Sequence, residues 1–440
     1  MTSVLIVGAG EFGCSTAISL LKSGRYSSVT ILDRAEVLPA EDAASTDISK
    51  VVRYDYSDPD YSRLAKEAIT RWTQDFPDVY HESGVVVLGL EGDSVDSVVA
   101  RQSLANVQAQ ADNITVLQTP ESIKNFLRAE GRADVPIADI ADSAMAYHNP
   151  TGGWAEAGRA VEKLLERIKE LGGKIVPGAS LAALLYTDDG KDVRGVRTQD
   201  GKEFLADKVI IATGSWTPSI PALKGLLPSG LITATGQTIA CIQLTEELRK
   251  KYEHIPVTMN LGGSGSGGGF YSFPPTANGL LKCAFHAAGF TSEDGVPKTT
   301  LDAAAVEERE EKGLAWIPRA SLDALRHSLG LQYPELAALP FTFTRMCWYS
   351  DVVDGDWIID YHPQYPSLLY ASGGAGHAFK FLPIIGELIH ARLENTLPEN
   401  LKQKWSLSRP TSAIDPARIG MQRKPLVVDE LATREDMAKV

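Results

Sequence analysis

The chain has 440 residues, of which 44% are hydrophobic and 22% charged, with a formal net charge of -13; this is globular composition, at a length that calls for roughly two or three domains. The acidic balance, without a Lys/Arg patch, argues against a nucleic-acid or anionic-membrane partner, and no apolar run approaches membrane-spanning length. Cys14, Cys241, Cys283 and Cys347 are scattered without a CxxC pair, so neither a disulfide framework nor a metal site is indicated.

Val4–Val7 is a short apolar run ending in Gly8-Ala9-Gly10-Glu11-Phe12-Gly13, followed by helical spacing over Ser15–Leu21 and a second strand at Val29–Asp33. This strand, glycine turn, helix and strand form a dinucleotide unit. Gly8 allows the tight turn, Gly10 lets backbone approach a pyrophosphate, and Gly13 lets the helix pack closely on the sheet. Phosphates then meet unpaired N–H groups at the helix start, and Asp33 can take two ribose hydroxyls. Residues 63–76 read as a helix with Leu64, Ala68, Trp72 and Phe76 on one face. Gly84–Leu88 is a buried strand, residues 93–130 are mostly helical, and Ala157–Leu171 is a further helix. A hairpin spans Leu181–Thr198, and Lys208–Trp216 is a strand closing on a glycine turn.

From about residue 236 the pattern changes to alternating strands: Thr238–Gln243, Val257–Leu261, Phe270–Phe273 and Leu280–Phe285. Residues 262–269 contain only Gly and Ser, which predicts a flexible loop or a lid. Further on, Arg345-Met346-Cys347-Trp348-Tyr349 is followed by a second glycine turn, Gly373-Gly374-Ala375-Gly376-His377-Ala378-Phe379-Lys380, leading into a helix at Phe381–Ile389. A nicotinamide enzyme has no need of that turn. A flavin does, because its reduced pyrimidine side carries negative charge that helix N-termini and lysines stabilise.

In this order, Gly8-x-Gly10-x-x-Gly13, Ala212-Thr213-Gly214, Arg345-x-Cys347-x-Tyr349 and Gly376-His377-Ala378-Phe379-Lys380 resemble the monomeric sarcosine oxidase and fructosyl amino acid oxidase (amadoriase) family over essentially the whole chain. The resemblance implies an α/β fold: a Rossmann-type FAD-binding domain with a second α+β substrate domain built on an antiparallel sheet. Residues 1–85, 150–235 and 340–440 are expected in the first, and 86–149 and 236–339 in the second. It further implies FAD held by Gly8, Gly10, Gly13, Asp33, Arg34, Ser49, Lys50, Gly374, Gly376, His377 and Lys380, with a thioether from Cys347 to the flavin's benzenoid methyl.

Read as residues alone, Cys347 is either that tether or a buried free thiol, the reading favoured for Cys14 and Cys241. Lys282 and His286 share one face of a strand. The family places a lysine at the former position to assist dioxygen; an exposed strand lysine is the alternative. His286 stands where glycated-substrate oxidases often carry an acid. By the same resemblance Lys50 lies against the flavin and Arg53 near the substrate carboxylate, for which a guanidinium fork is suited. Tyr349, Arg63 and Arg409 are further substrate candidates, Arg63 with a solvated surface role as its alternative. Lys282, Lys380 and Lys50 are the expected catalytic cations.

The expected activity is an FAD-dependent oxidation of secondary amines of N-substituted amino acids, of the sarcosine, pipecolate or saccharopine kind. Hydride passes to the flavin, water hydrolyses the imine, and dioxygen becomes hydrogen peroxide. A fructosyl amino acid oxidase is the alternative and an NAD-dependent dehydrogenase a distant one. The expected partners are a small amine or amino acid and dioxygen, acting on a monomer. A cytoplasmic or peroxisomal location is expected, since Ala438-Lys439-Val440 resembles a peroxisomal tripeptide as much as a frayed tail.

Overall fold

The computed structural model describes residues 1–91, 95–111, 113–128, 134–137, 145–261, 268–410, 415 and 421–439. Residues 262–267, which hold most of the glycine–serine stretch, lie outside these, as does Val440 of the C-terminal tripeptide. Among the described residues no helix is long and apolar enough to cross a membrane.

The first unit is β1 (Thr2–Val7), α1 (Glu11–Ser23) and β2 (Tyr26–Leu32). The two strands pair in parallel inside a six-stranded sheet. Lys208–Ile211 and Tyr365–Ser372 continue it in parallel on one side, Lys174–Val176 does so on the other, and Ile358–His362 closes one edge antiparallel. Both faces are covered. Val4 and Ile6 enter one buried cluster while Leu5 and Val7 enter another, the pattern expected of a parallel sheet between layers. Helix Leu382–Leu393 crosses α1 so closely that a Cβ on Gly386 would lie 2.0 Å from the Ser15 carbonyl oxygen. That crossing brings the glycine turn at 373–376 over the start of α1.

β3 (Lys50–Val52) leads into α2 (Pro59–Asp75), which begins four residues before the apolar spacing indicates. Asp58 caps it by accepting from the Asp60 and Tyr61 amides, and Pro59 occupies the first turn, where its missing N–H costs nothing. The 93–130 stretch divides into helices Val95–Gln108 and Pro120–Arg128 around a short strand, Thr115–Leu117.

The second sheet is largely antiparallel. Its central strand, Ile232–Gln243, pairs on one side with Phe343–Val352, in the register Gln237 to Cys347, and on the other with Leu280–Ala287, in the register Cys241 to Lys282. Strand Phe343–Val352 therefore hydrogen-bonds into the second sheet, although residues from 340 on were expected in the first domain. Alternation sends Ile239, Cys241, Ala284, Cys347 and Tyr349 into the cluster shared with β1 and α1, while Ala240, Ile242, Cys283, Met346 and Trp348 enter a separate core. The face carrying Lys282 and Cys347 is thus turned toward the dinucleotide unit.

Candidate active site

Two cavities meet at this junction. The first, of about 360 Å³, is lined by Gly8, Gly10, Glu11, Asp33 and Arg34. Gly8 adopts φ +113°, and a Cβ there would lie 2.3 Å from the Ala212 carbonyl oxygen; a Cβ on Gly13 would lie 1.9 Å from the Gly8 oxygen. Only glycine fits either position. Gly10 stands at the N-cap of α1 and supplies no side-chain cap, and Gly10, Glu11 and Phe12 all line the cleft, which leaves the helix's first amides for a ligand. Asp33 braces the turn by accepting from the Ala9 amide at 2.7 Å and the Ala35 amide at 2.9 Å. Arg34 pairs with Asp42 at 2.6 Å and lies 4.0 Å from the Trp216 ring centroid. An uncapped helix start in a glycine cradle suits a pyrophosphate; Ser49, expected at the cofactor, is buried and lines neither cavity.

The second cavity, of about 720 Å³, shares Lys50, Tyr349, Gly376 and Phe379 with the first and adds Arg53, Tyr56, Tyr271, His286, His377 and Lys380. Behind the shared wall lies a buried charge cluster. Lys282, 1% exposed and so not a surface lysine, donates to Asp47 and to the Ser49 carbonyl, both at 2.6 Å. Lys50 reaches the same Asp47 oxygen at 3.0 Å and the Cys347 sulfur at 3.5 Å. Burial would raise the Asp47 carboxyl, but Lys282, Lys50 and Arg345 together hold it far below the usual carboxylate range. Burial pulls Lys282 down despite Asp47, whereas Lys50, also opposed by burial, is raised by Cys347 and Asp47. Cys347 is itself 1% exposed.

On the far side, Lys380 donates to the Tyr56 hydroxyl at 2.8 Å and the His377 carbonyl at 2.7 Å, and burial with the neighbouring Arg53 charge lowers its pKa well below the ordinary value. His377 is held between the Tyr56 hydroxyl at 3.1 Å and the Gly355 carbonyl at 2.9 Å. The turn that carries it is strained: Ala375 adopts φ +46° between Gly373 and Gly376, both at +75°. A Cβ on Gly376 would lie 2.1 Å from the Tyr349 ring. Gly374 lines the first cavity.

The arginines separate clearly. Arg53 faces the second cavity, 5.2 Å from the Tyr56 ring centroid. Arg409 borders the same cavity, but all five of its N–H donors are engaged, by both oxygens of Asp354 and by the carbonyls of Trp357, Ser406 and Asp356. It ties the wall together and has no fork left for a carboxylate. Arg63 is 58% exposed, 3.8 Å from Asp60, and borders neither cavity.

Sequence reasoning passed over Glu11, Asp47, Asp55, Tyr56, Tyr271 and Asp356. Tyr56 carried the one usable signal, since it continues the extended segment of Lys50 and Arg53. Glu11, deep in the first cavity, is pushed up to about 7 by burial, against the pull of Lys50 and Lys380.

A family model described as FAD dependent oxidoreductase matches residues 3–392. The chain is 29% identical over 422 residues to the L-saccharopine oxidase of Schizosaccharomyces pombe, covering 92% of each. It is 24% identical over 401 residues to the peroxisomal sarcosine oxidase of Mus musculus, covering 88% and 90%. Among solved structures, the fructosamine oxidase Amadoriase II of Aspergillus fumigatus superposes with a TM-score of 0.78 at 26% identity, over 98% of this chain and 95% of that one. The fructosyl peptide oxidase from E. terrenum is alike in fold, with a TM-score of 0.81 at 24% identity over 97% and 96%. These matches set the NAD-dependent dehydrogenase aside. The chain belongs to the family of FAD-dependent oxidoreductases that includes the sarcosine, saccharopine and fructosyl amino acid oxidases.

Proposed function

We propose that this enzyme oxidises secondary amines of N-substituted amino acids. The observation carrying this reading is the contact of the two cavities across Lys50 and Tyr349, with Arg53 and Lys380 lining the larger one. Gly8, Gly10, Gly13 and the start of α1 hold the FAD phosphates, Asp33 the ribose, and the 373–376 turn with Lys380 the charged edge of the ring. Bound FAD supplies the two-electron acceptor, taking a hydride from the carbon beside the amine and passing both electrons to dioxygen to give hydrogen peroxide.

Arg53 and Lys380 take the substrate carboxylate, a guanidinium fork and an ammonium on one anion. The same cations depress the pKa of a bound amine, so it reacts neutral and no general base is needed. His286 and Tyr349, whose ring centroids lie 6.0 Å apart, wall the amine side. Lys282, kept by Asp47, is the buried cation that favours charge developing on dioxygen. Water entering from the open side of the cavity splits the imine. Cys347, 3.5 Å from the Lys50 ammonium, would hold the flavin through a thioether to its methyl carbon, a bond that replaces the S–H and one methyl C–H and whose two electrons pass through the ring to dioxygen. The likeness to a fructosamine oxidase at 26% identity keeps glycated amino acids in the same test.

Acid precipitation followed by an amine screen tests both halves. Flavin absorbance should remain with the pellet, and an N-substituted amino acid should bleach the flavin and release peroxide. Yellow supernatant over a colourless pellet would remove the thioether; failure of every secondary amine, glycated ones included, would remove the activity.

A further inference from the structure

The two cations assigned to the substrate carboxylate share a neighbour. Tyr56 continues the extended segment that carries Lys50 and Arg53, and its side chain reaches both Arg53 and Lys380. The Arg53 guanidinium carbon lies 5.2 Å from the centre of its ring, within the range over which a cation is drawn to an aromatic face. Lys380 meets the other end of the side chain, donating to the Tyr56 hydroxyl at 2.8 Å. Tyr56 is itself fixed from several sides. Its carbonyl accepts from the Asn106 side-chain amide at 2.9 Å, and its ring packs on those of Tyr61 and Phe381, with centroids 5.6 Å and 5.9 Å away.

The direction of these hydrogen bonds follows from what each group can do. An ammonium only donates, so the Tyr56 oxygen accepts from Lys380 and its own hydrogen turns to His377, whose Nδ1 lies at 3.1 Å and whose carbonyl oxygen lies at 3.3 Å. His377 Nε2, 2.9 Å from the Gly355 carbonyl, donates there, which leaves Nδ1 of the neutral ring to accept. Lys380 has three donors. The Tyr56 hydroxyl takes one and the His377 carbonyl, at 2.7 Å, a second; Lys380 lines the larger cavity, so the third is left for a ligand. The lone pair that Tyr56 offers matters because the surroundings disfavour an ammonium. Burial and the charges of Arg53 and Lys50 act against it, with Glu11 and Asp55 opposing them.

We propose that Tyr56 is the positioning residue of the carboxylate site: its hydroxyl aims Lys380 and its ring seats Arg53, so that two cations converge on one anion. This rests on the proposed amine oxidase activity, which assigns the substrate carboxylate to Arg53 and Lys380, and it adds the residue that sets their geometry. Two buried like charges repel each other while no anion is bound. A tyrosine that holds both keeps the pair formed in advance, and a carboxylate then binds without the cost of ordering two long side chains.

The holoenzyme is titrated with N-methylglycine and with N-methylglycinamide, which lacks the anion. Binding is followed by the change in flavin absorbance and turnover by peroxide. The wild type should favour the carboxylate by roughly tenfold or more, the effect of one hydrogen bond to a charged group. Tyr56→Phe keeps the ring and removes the hydroxyl; it should weaken the carboxylate about tenfold and change the amide less than about twofold. Lys380→Met should cost at least as much, and adding Tyr56→Phe to it should cost nothing further, because the hydroxyl acts through that lysine. Tyr56→Leu in the same Lys380→Met background should cost roughly threefold more, the ring's share through Arg53. An equal loss of both ligands in Y56F, the mark of a merely structural role, overturns the assignment. So does a full further loss when Y56F is added to K380M, no further loss with Y56L, or a wild type that binds the two ligands alike or neither. Binding in the expected pattern without peroxide from any secondary amine would sustain it and strike the oxidase reading instead.

Discussion

Replacing Asp47 by Asn should destabilise the protein more than replacing either lysine it holds. One Asp47 oxygen takes Lys282 at 2.6 Å and Lys50 at 3.0 Å, with Arg345 adding to the field. Lys282→Met leaves Asp47 paired with Lys50, so the loss is that of one charged hydrogen bond offset by better apolar burial, about 1–3 kcal/mol. Asp47→Asn leaves two buried ammonium groups without their counter-charge, for which about 3–5 kcal/mol is expected. For 440 residues at ~2.1 cal/mol/K each, 1 kcal/mol is worth roughly 1 °C in Tm, so D47N should melt about 3–5 °C below the wild type by calorimetry at pH 7. The pH dependence has a definite sign. The folded Asp47 carboxyl lies below its unfolded value, so its stabilisation is fully present above about pH 4 and fades only in acid. The folded Lys282 lies below its unfolded value, which makes its proton a liability that is relieved as pH rises. Without Asp47 that relief comes earlier, and the D47N deficit should narrow between pH 7 and pH 9. Equal melting of D47N and K282M, or a deficit widening with pH, would refute the shared-anion account.

The two cavity arginines should separate in steady-state kinetics and melting. Arg53→Lys is expected to raise KM for the amino acid about tenfold by losing the bidentate fork, with little change in Tm, whereas Arg409→Lys should lower Tm by losing most of its five hydrogen bonds and move KM little. FAD titration of apoprotein in a Cys347→Ala background, followed by flavin fluorescence, checks Glu11. Its carboxyl is neutral below about pH 7 and negative above, beside the phosphate cradle, so FAD affinity should fall by roughly tenfold from pH 6 to pH 8.5, and Glu11→Gln should flatten the profile.

What is legible in the sequence is what depends on near neighbours. Gly8, Gly10 and Gly13 lie within one turn, and the reason each is glycine, a positive φ or a carbonyl where Cβ would stand, is set by chain a few residues away and one neighbouring strand. The pairing of Lys282 with His286 on one strand face is likewise local. Helix α2 starts early because a capping acid and a proline act outside the apolar spacing that marks its body. The site is different, since its members are chosen by partners far along the chain. Asp47 carries no motif, and its importance arises only when the second sheet delivers Lys282 from 235 residues away. Arg409 shows the converse. By residue type it is as good a carboxylate receptor as Arg53, yet Asp354 and three carbonyls have taken its donors, while Arg53 lies against the face of Tyr56 and in the field of Asp55 with no hydrogen bond of its own among the described residues. Side-chain chemistry therefore limits what a residue can do, and the unused part of its hydrogen-bonding capacity decides what it does.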